Sequence, residues 1–271
     1  MSDRDYSVYA ENREYLDGLK LEHTIMDDGT AFQLAEAMSK SGNYTEPISA
    51  WETFTGALGG KADVTSFAKV CKYLDITGSQ EDEAWQVPPK SAVYFRTPVS
   101  DRAYSLFSKK YKGLGAMYAS DFKTVCEDVY YDRADACILP LESSDDGLIM
   151  SFRNMLLKYE LTITSIVTIG IGEDKYQTLA LLTNGSYDTN GNVCELCLTS
   201  VASDFLMSYC ESLSHFDATP VRITSVPSKI RGKYDHHICA SVPHENVTRL
   251  RFFTDALSPA NVFLGQYKNN D

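Results

Sequence analysis

The residue types best suited to chemistry stand in one run, Ala134-Asp-Ala-Cys-Ile-Leu-Pro-Leu-Glu-Ser-Ser-Asp-Asp-Gly-Leu148. Cys137 to Leu141 is too short and too β-like for a helix and reads as an interior strand. Glu142, Ser143 and Ser144 then fall at its C-terminal end. A carboxylate there can exchange a proton, and the two hydroxyls can donate to a bound anion. In open α/β sheets this strand end is where ligands bind. The same residues have a plainer use, because Ser144-Asp145-Asp146 can cap a helix beginning near Leu148. On spacing alone the cap is the stronger reading.

Two other pairs invite chemistry and carry less. Cys194-x-x-Cys197 is the one tight pair among seven cysteines. It lies on an alternating, strand-like segment, and no second pair completes a zinc site, so neither a metal nor another cofactor is expected. His236-His237 alternates on a predicted strand, which puts one of the two toward solvent.

The elements that must position these residues fall into three segments of the 271-residue chain. Residues 1–90 read as helical, with helices near 7–22, 30–41, 47–58 and 64–75, broken at Asp27-Asp-Gly29, Ser41-Gly-Asn43 and Gly59-Gly60. Thr30, Thr45 and Thr65 stand beside the expected N-caps, and Pro47 suits a first helical turn. Gln80-Glu-Asp-Glu83 and Pro88-Pro89 mark a linker. Residues 91–185 alternate strand and helix, the pattern of an α/β layer with a largely parallel sheet. Strands are expected near 92–96, 116–118, 136–141, 162–170 and 177–183, and helices near 102–112, 121–131 and 147–159. Residues 192–271 form a third unit, with strands at 193–200, 219–225, 234–242 and 261–267 and helices at 202–216 and 244–257. Its order, βαββαβ, is the ferredoxin-like split.

The fold class expected is therefore α/β plus α+β with a helical N-terminal segment. A net charge of −12 argues against nucleic acid and against an anionic membrane surface as partners. No apolar run reaches the length of a membrane span, and Met1-Ser-Asp-Arg-Asp is unlike a secretory signal. Scattered cysteines, odd in number, suit reduced thiols and a cytoplasmic location.

Residues 93–169 resemble the first lobe of prephenate dehydratase. The counterparts are Phe95, Pro98, Ala103-Tyr104-Ser105, Phe122-Lys-Thr-Val125, and Asp135 through Pro140-Leu-Glu-Ser-Ser144 to Gly147. They answer in order to the family's apolar strand, its Gly-Pro-type loop, its Ala-Tyr-Ser or Thr-Phe-Ser helix start, its Phe-x-x-Val/Ala stretch and its Asp-x4-Pro-Ile-Glu-Asn-Ser-x-x-Gly motif. Ser143 stands where the family has Asn. The resemblance implies a single lobe of the prephenate dehydratase, periplasmic-binding-protein-like type over 93–183. It also implies that the βαββαβ unit is an ACT domain, the family's phenylalanine sensor. Ala260-Asn-Val-Phe-Leu-Gly-Gln-Tyr-Lys268 is similar to the family's closing Val-x-x-Leu-Gly-Ser-Tyr strand, and Thr224-Ser-Val-Pro-Ser228 stands at its Glu-Ser-Arg-Pro turn. Residues 1–90 do not follow the Arg and Lys pattern of the chorismate mutase fused ahead of some relatives, and they stay unassigned.

Carried over residue by residue, the resemblance makes Glu142, Ser143, Ser144 and Thr178 the remnants of a catalytic site. Ser105, Asp204, Ser225 and Pro227 become ligand-binding candidates. Two departures matter. The family's second lobe, with its Ser-His-Pro-Gln motif, has no counterpart, and Leu179 follows Thr178 where the family has Arg. Bidentate Arg is the usual clamp for a carboxylate, and Leu cannot replace it. The sensor is altered as well. Val201-Ala-Ser-Asp-Phe-Leu206 lacks the family's glycine turn, and Thr224 and Val226 replace a Glu and an Arg.

The expectation is a prephenate-dehydratase-related protein of aromatic amino acid metabolism, regulatory or interaction-based, with a small carboxylate or amino acid as ligand. Open sheet edges point to a homodimer. The alternative is an active dehydratase, turning prephenate into phenylpyruvate, water and CO2, or an enzyme on a related acid. Its cleft would be completed by another chain or by residues 1–90.

Overall fold

The computed structural model describes residues 26–42, 44–59, 62–76, 88–185 and 190–268; the helix expected near 7–22 and the Gln80–Glu83 linker lie outside them. The chain divides into two compact units. One gathers the described residues of 1–81 with 197–262, and the other those of 82–196 with 263–271.

The first unit begins with three helices, α1 (Asp28–Ser41), α2 (Pro47–Ala57) and α3 (Val64–Tyr73). Carboxylates set the starts of α1 and α3, whereas Glu46, before α2, makes no side-chain capping bond. Asp27 Oδ1 accepts from Thr30 N at 2.9 Å and Asp63 Oδ1 from Ser66 N at 2.8 Å, each meeting an otherwise unbonded first-turn N–H. Gly42, at φ +70°, ends α1 in the left-handed conformation that glycine adopts without strain.

The second unit carries β1 (Ser91–Phe95), α4 (Pro98–Lys110), β2 (Gly115–Ala119), α5 (Phe122–Tyr130), β3 (Ala136–Ser143), β4 (Gly147–Leu148), α6 (Met150–Lys158), β5 (Leu161–Gly172) and β6 (Lys175–Asn184). Helix α4 starts in a capping box: Ser100 N donates to Thr97 Oγ1 at 3.0 Å, Thr97 N donates to Ser100 Oγ at 2.8 Å, and Pro98 opens the helix. Asp135 Oδ2 accepts from Lys90 N, Ser91 N and Ser91 Oγ, each at 2.9 Å, and so pins the start of β1 beside the start of β3. Ala92, Tyr94, Phe107, Ile138, Leu179 and Leu181 form a buried core on the α4 face of the sheet.

The rest of the chain supplies β7 (Val193–Val201), α7 (Ser203–Ser212), β8 (Thr219–Pro227), β9 (Tyr234–Ser241), α8 (Val247–Leu257) and β10 (Val262–Tyr267). This is the expected element order, βαββαβ. The division between units falls inside β7 and inside β10. In the first unit β9 lies between β7 and β8, and β8 and β9 are antiparallel. Phe253 of α8 sits among Tyr209, Phe216 and Phe67 at ring-centroid distances of 5.5, 5.2 and 5.9 Å, so the N-terminal helices share this unit's aromatic core. In the second unit the strand order is β2-β1-β3-β6-β5-β10.

Three expectations are corrected. The sheet of 91–185 is mixed, not largely parallel: β1 is parallel to β2 and β3, whereas β6 is antiparallel to both β3 and β5. Glu173-Asp174 is all that joins β5 to β6, and so short a link can only connect antiparallel strands. Second, Ser144-Asp145-Asp146 does not cap a helix. Gly147, at φ +63°, turns the chain back so that β4 pairs with Glu142 and Ser143, and α6 starts at Met150 without a side-chain cap. Third, both His236 and His237 are buried, at 2% and 4% exposure, so both faces of β9 are covered at this point.

Candidate functional site

Register decides what surrounds Glu142. It stands one residue before the end of β3, directly opposite Thr178 of β6, and Thr178 is directly opposite Thr168 of β5. Residues facing each other across antiparallel strands project to the same side of the sheet. Glu142, Thr178 and Thr168 therefore form one row across three strands. The hydroxyls of Thr168 and Thr178 are 3.1 Å apart. Tyr176, two residues before Thr178 and thus on the same face, donates from its phenol to Glu142 Oε1 at 3.1 Å.

The turn after β3 is tied to the same strand. Ser144 N donates to Tyr176 O at 3.0 Å, and Tyr176 N donates to Ser144 Oγ at 3.3 Å. Ser143 Oγ donates to Asp146 Oδ2 at 3.1 Å and accepts from Asp146 N at 3.0 Å, closing the turn on itself. Lys175 Nζ lies 3.1 Å from Asp145 Oδ2 in an exposed pair. Glu142, Ser143, Ser144 and Thr178 are all half-buried. The structure places Thr178 beside the Glu142 carboxylate and ties Ser144 to Tyr176, whereas Ser143, next to Glu142 in the strand and so on its other face, bonds within the turn to Asp146. It also adds Tyr176 and Thr168. The first of these two was open to strand alternation once Thr178 was chosen. The second needed the hairpin register.

Leu179 takes the opposite side. It is 2% exposed and packs with Tyr94, Phe107, Ile138 and Leu181 on the α4 face. Ser105 lies exposed on α4, the helix covering that opposite face, and is not joined to the Glu142 row. The arrangement can thus offer a carboxylate and several hydroxyls to a ligand, but position 179 points into the core.

The remaining candidates are in the first unit. Asp204, exposed in the first turn of α7, accepts from Phe205 N at 2.9 Å. Ser225 Oγ is 2.7 Å from His236 Nδ1, directly across from it on β9, and Pro227 closes β8 in an exposed position. Burial lowers the His236 pKa and Asp235 partly opposes that shift. Cys197 Sγ is 3.9 Å from His237 Nε2. Among the described residues, no group of three or more His, Cys, Asp or Glu side chains is placed to hold a metal ion, and no helix is long and apolar enough to cross a membrane.

No protein-family model matches the chain, and no curated protein matches its sequence. Solved structures do match its fold. Prephenate dehydratase from Streptococcus mutans aligns at a TM-score of 0.54 and 16% identity, over 65% of this chain and 97% of that one. The fold is of the prephenate dehydratase kind. Prephenate dehydratase from Arthrobacter aurescens, solved in complex with L-Phe, aligns at 0.53 and 13% identity over 66% of this chain and 90% of that one. GqqA, described as a novel type of quorum-quenching acylase, aligns at 0.52 and 16% identity over 67% and 96%. One fold thus carries different chemistries, and function must be argued from the site.

Proposed function

We propose that this chain is a degenerate relative of prephenate dehydratase that serves aromatic amino acid metabolism by regulation or interaction, as a cytoplasmic homodimer, and not by catalysis. The observation that carries the reading is Leu179. Where the resemblance lays the family's arginine, this chain has an aliphatic side chain buried in the core, on the face away from Glu142 and Thr178. Prephenate carries two carboxylates, and without a cationic clamp the row of Glu142, Thr178 and Thr168 offers it one like charge and a few hydroxyls. Glu142 repels a carboxylate, and its Oε1 already accepts from Tyr176. The ligand that suits what remains is a small amino acid or carboxylate held by hydroxyls, in a protein whose βαββαβ segment is of the ACT type.

A second reading, an active dehydratase or an enzyme on a related acid, draws on the direct Glu142–Thr178 register, which keeps the two supposed catalytic side chains together. One assay separates them. Purified chain is given prephenate and phenylpyruvate is followed. The proposal expects no turnover above the uncatalysed rate. Turnover at an ordinary enzymic rate, about 1 per second or faster, that is lost in Thr178→Ala would overturn it.

A further inference from the structure

The tip of the β5–β6 hairpin reaches the row of Glu142, Thr178 and Thr168 through Tyr176, and it is held differently from its own base. Ile169 and Leu179 at the base are 3% and 2% exposed, whereas every residue from Gly170 to Tyr176 is exposed. Apolar burial fixes the base. The tip has none, and a segment without it belongs to the low-stability end of a fold.

Polar contacts hold the tip instead. The Tyr176 phenol donates to Glu142 Oε1 at 3.1 Å, and its backbone exchanges two bonds with Ser144, at 3.0 and 3.3 Å. Lys175 pairs with Asp145 at 3.1 Å, and on the other strand Gly170 O accepts from Arg102 Nη1 at 2.8 Å. Contacts of this exposed kind contribute little, because water replaces them readily. Below the tip the ladder breaks its register: Gly170 faces Tyr176, Gly172 faces Lys175, and Ile171 between them has no opposite number. A Cβ on either glycine would meet nothing within 4 Å, so packing does not demand glycine there. Two such glycines around a bulge give the backbone freedom to bend.

We propose that residues 170–176 form a strap that swings on Gly170 and Gly172, with Tyr176 as its plug over the Glu142 row. The inference rests on the reading of that row as a binding site. In the closed state, which is the one described above, the phenol stands where a ligand's own N–H or O–H would meet Glu142. Opening frees the carboxylate and exposes Thr178. A ligand must therefore supply a donor that displaces the phenol, and its apparent affinity is reduced by the fraction of chains that are closed.

The test needs no ligand. In the full chain, Thr178→Cys puts a thiol beneath the plug, and its alkylation by iodoacetamide is followed at that residue by mass spectrometry. Tyr176→Phe removes the bond to Glu142 and should speed alkylation at least about threefold; Tyr176→Ala removes the plug and should speed it at least about tenfold. Gly170→Val/Gly172→Val stiffens the hinge without a clash and should slow the reaction at least about threefold below the parent. Cys137, 0% exposed in β3, serves as the internal control and should stay unlabelled in every variant, which shows that the fold is kept. Equal rates in the parent and both Tyr176 variants, or a glycine double variant that is not slower, overturn the proposal and leave the functional reading standing. Formation of phenylpyruvate from prephenate overturns that reading and leaves these rates as they are.

Discussion

Helix α6 carries a charge with no exit to water. Arg153 is 2% exposed, and its guanidinium pairs with Glu195 of β7, itself 5% exposed; Tyr267 of β10, at 3%, donates its hydroxyl to the other carboxylate oxygen. Arg153 Nε has no hydrogen-bond partner among the described residues. Removing one member of such a pair leaves the other charge buried and uncompensated, which costs about 3–5 kcal/mol, whereas replacing the whole set with apolar groups of similar volume is neutral or even stabilising by about 1–4 kcal/mol. Glu195→Leu alone should therefore destabilise the second unit by about 3–5 kcal/mol, and Arg153→Met alone by a similar amount through the orphaned carboxylate. The triple change Arg153→Met/Glu195→Leu/Tyr267→Phe should recover most of that loss. Because the chain has two units, a single melting curve would mix them. Amide hydrogen exchange on β3 and β5 reads the second unit alone, and protection there should fall by about two to three and a half orders of magnitude in the single variants. If the triple variant is no better protected than either single one, the side chains are not coupled and the reasoning fails.

Gly265 takes φ +150°, and a Cβ on it would sit 2.7 Å from Ile163 N and 2.8 Å from Ile163 Cβ, against the carbonyl oxygen of the same residue. Gly265→Ala should therefore cost at least about 1–3 kcal/mol in strain alone, read as lost exchange protection in β5, and a neutral result would mean that β10 does not approach β5 so closely. Burial lowers the pKa of His236, and burial followed by the nearby Lys69 charge lowers that of His215. Both are held neutral in the folded state while the unfolded chain binds their protons near pH 6.5, so the first unit should lose stability as the pH falls below about 6.5. A urea midpoint equal at pH 7.5 and 5.5, or one whose pH dependence is untouched by His236→Asn, would contradict this. On the proposed ACT reading of 193–267, phenylalanine should bind weakly or not at all, because Val201-Ala-Ser, Thr224 and Val226 stand where such a sensor has its glycine turn, Glu and Arg. Losing a few charge-assisted hydrogen bonds turns micromolar binding into about millimolar, and a micromolar, saturable calorimetric signal would show an intact sensor.

Local chemistry made much of this protein legible from its residues alone. The apolar run Cys137 to Leu141 reads as a strand because it is too short and too β-like for a helix, and the strand found there runs from Ala136 to Ser143. Pro47 marks the start of α2 and the spacing of 64–75 that of α3, because the signals of a helix start lie within a few residues, whereas α4 begins at Pro98, four residues before the expected 102. The βαββαβ order of 193–267 was readable for the same reason, as alternation and helical spacing are properties of short windows.

What lies across strands was decided by the tertiary structure. Glu142 meets Thr178 and Tyr176, and Thr168 meets Thr178, only through the register of β3 with β6 and β6 with β5, and a one-residue slip would have sent Thr178 into the core and Leu179 to the site. Cover on both faces of β9 buried both histidines, although alternation on a sheet with one open face would expose one. Arg153 reads as an ordinary cation on a short helix, and only the arrival of Glu195 and Tyr267, 42 and 114 positions later in the chain, makes it a buried ion pair. Pairings over such separations leave no local mark, because the energy that selects them comes from burial and charge contacts that exist only once the sheet has closed around them.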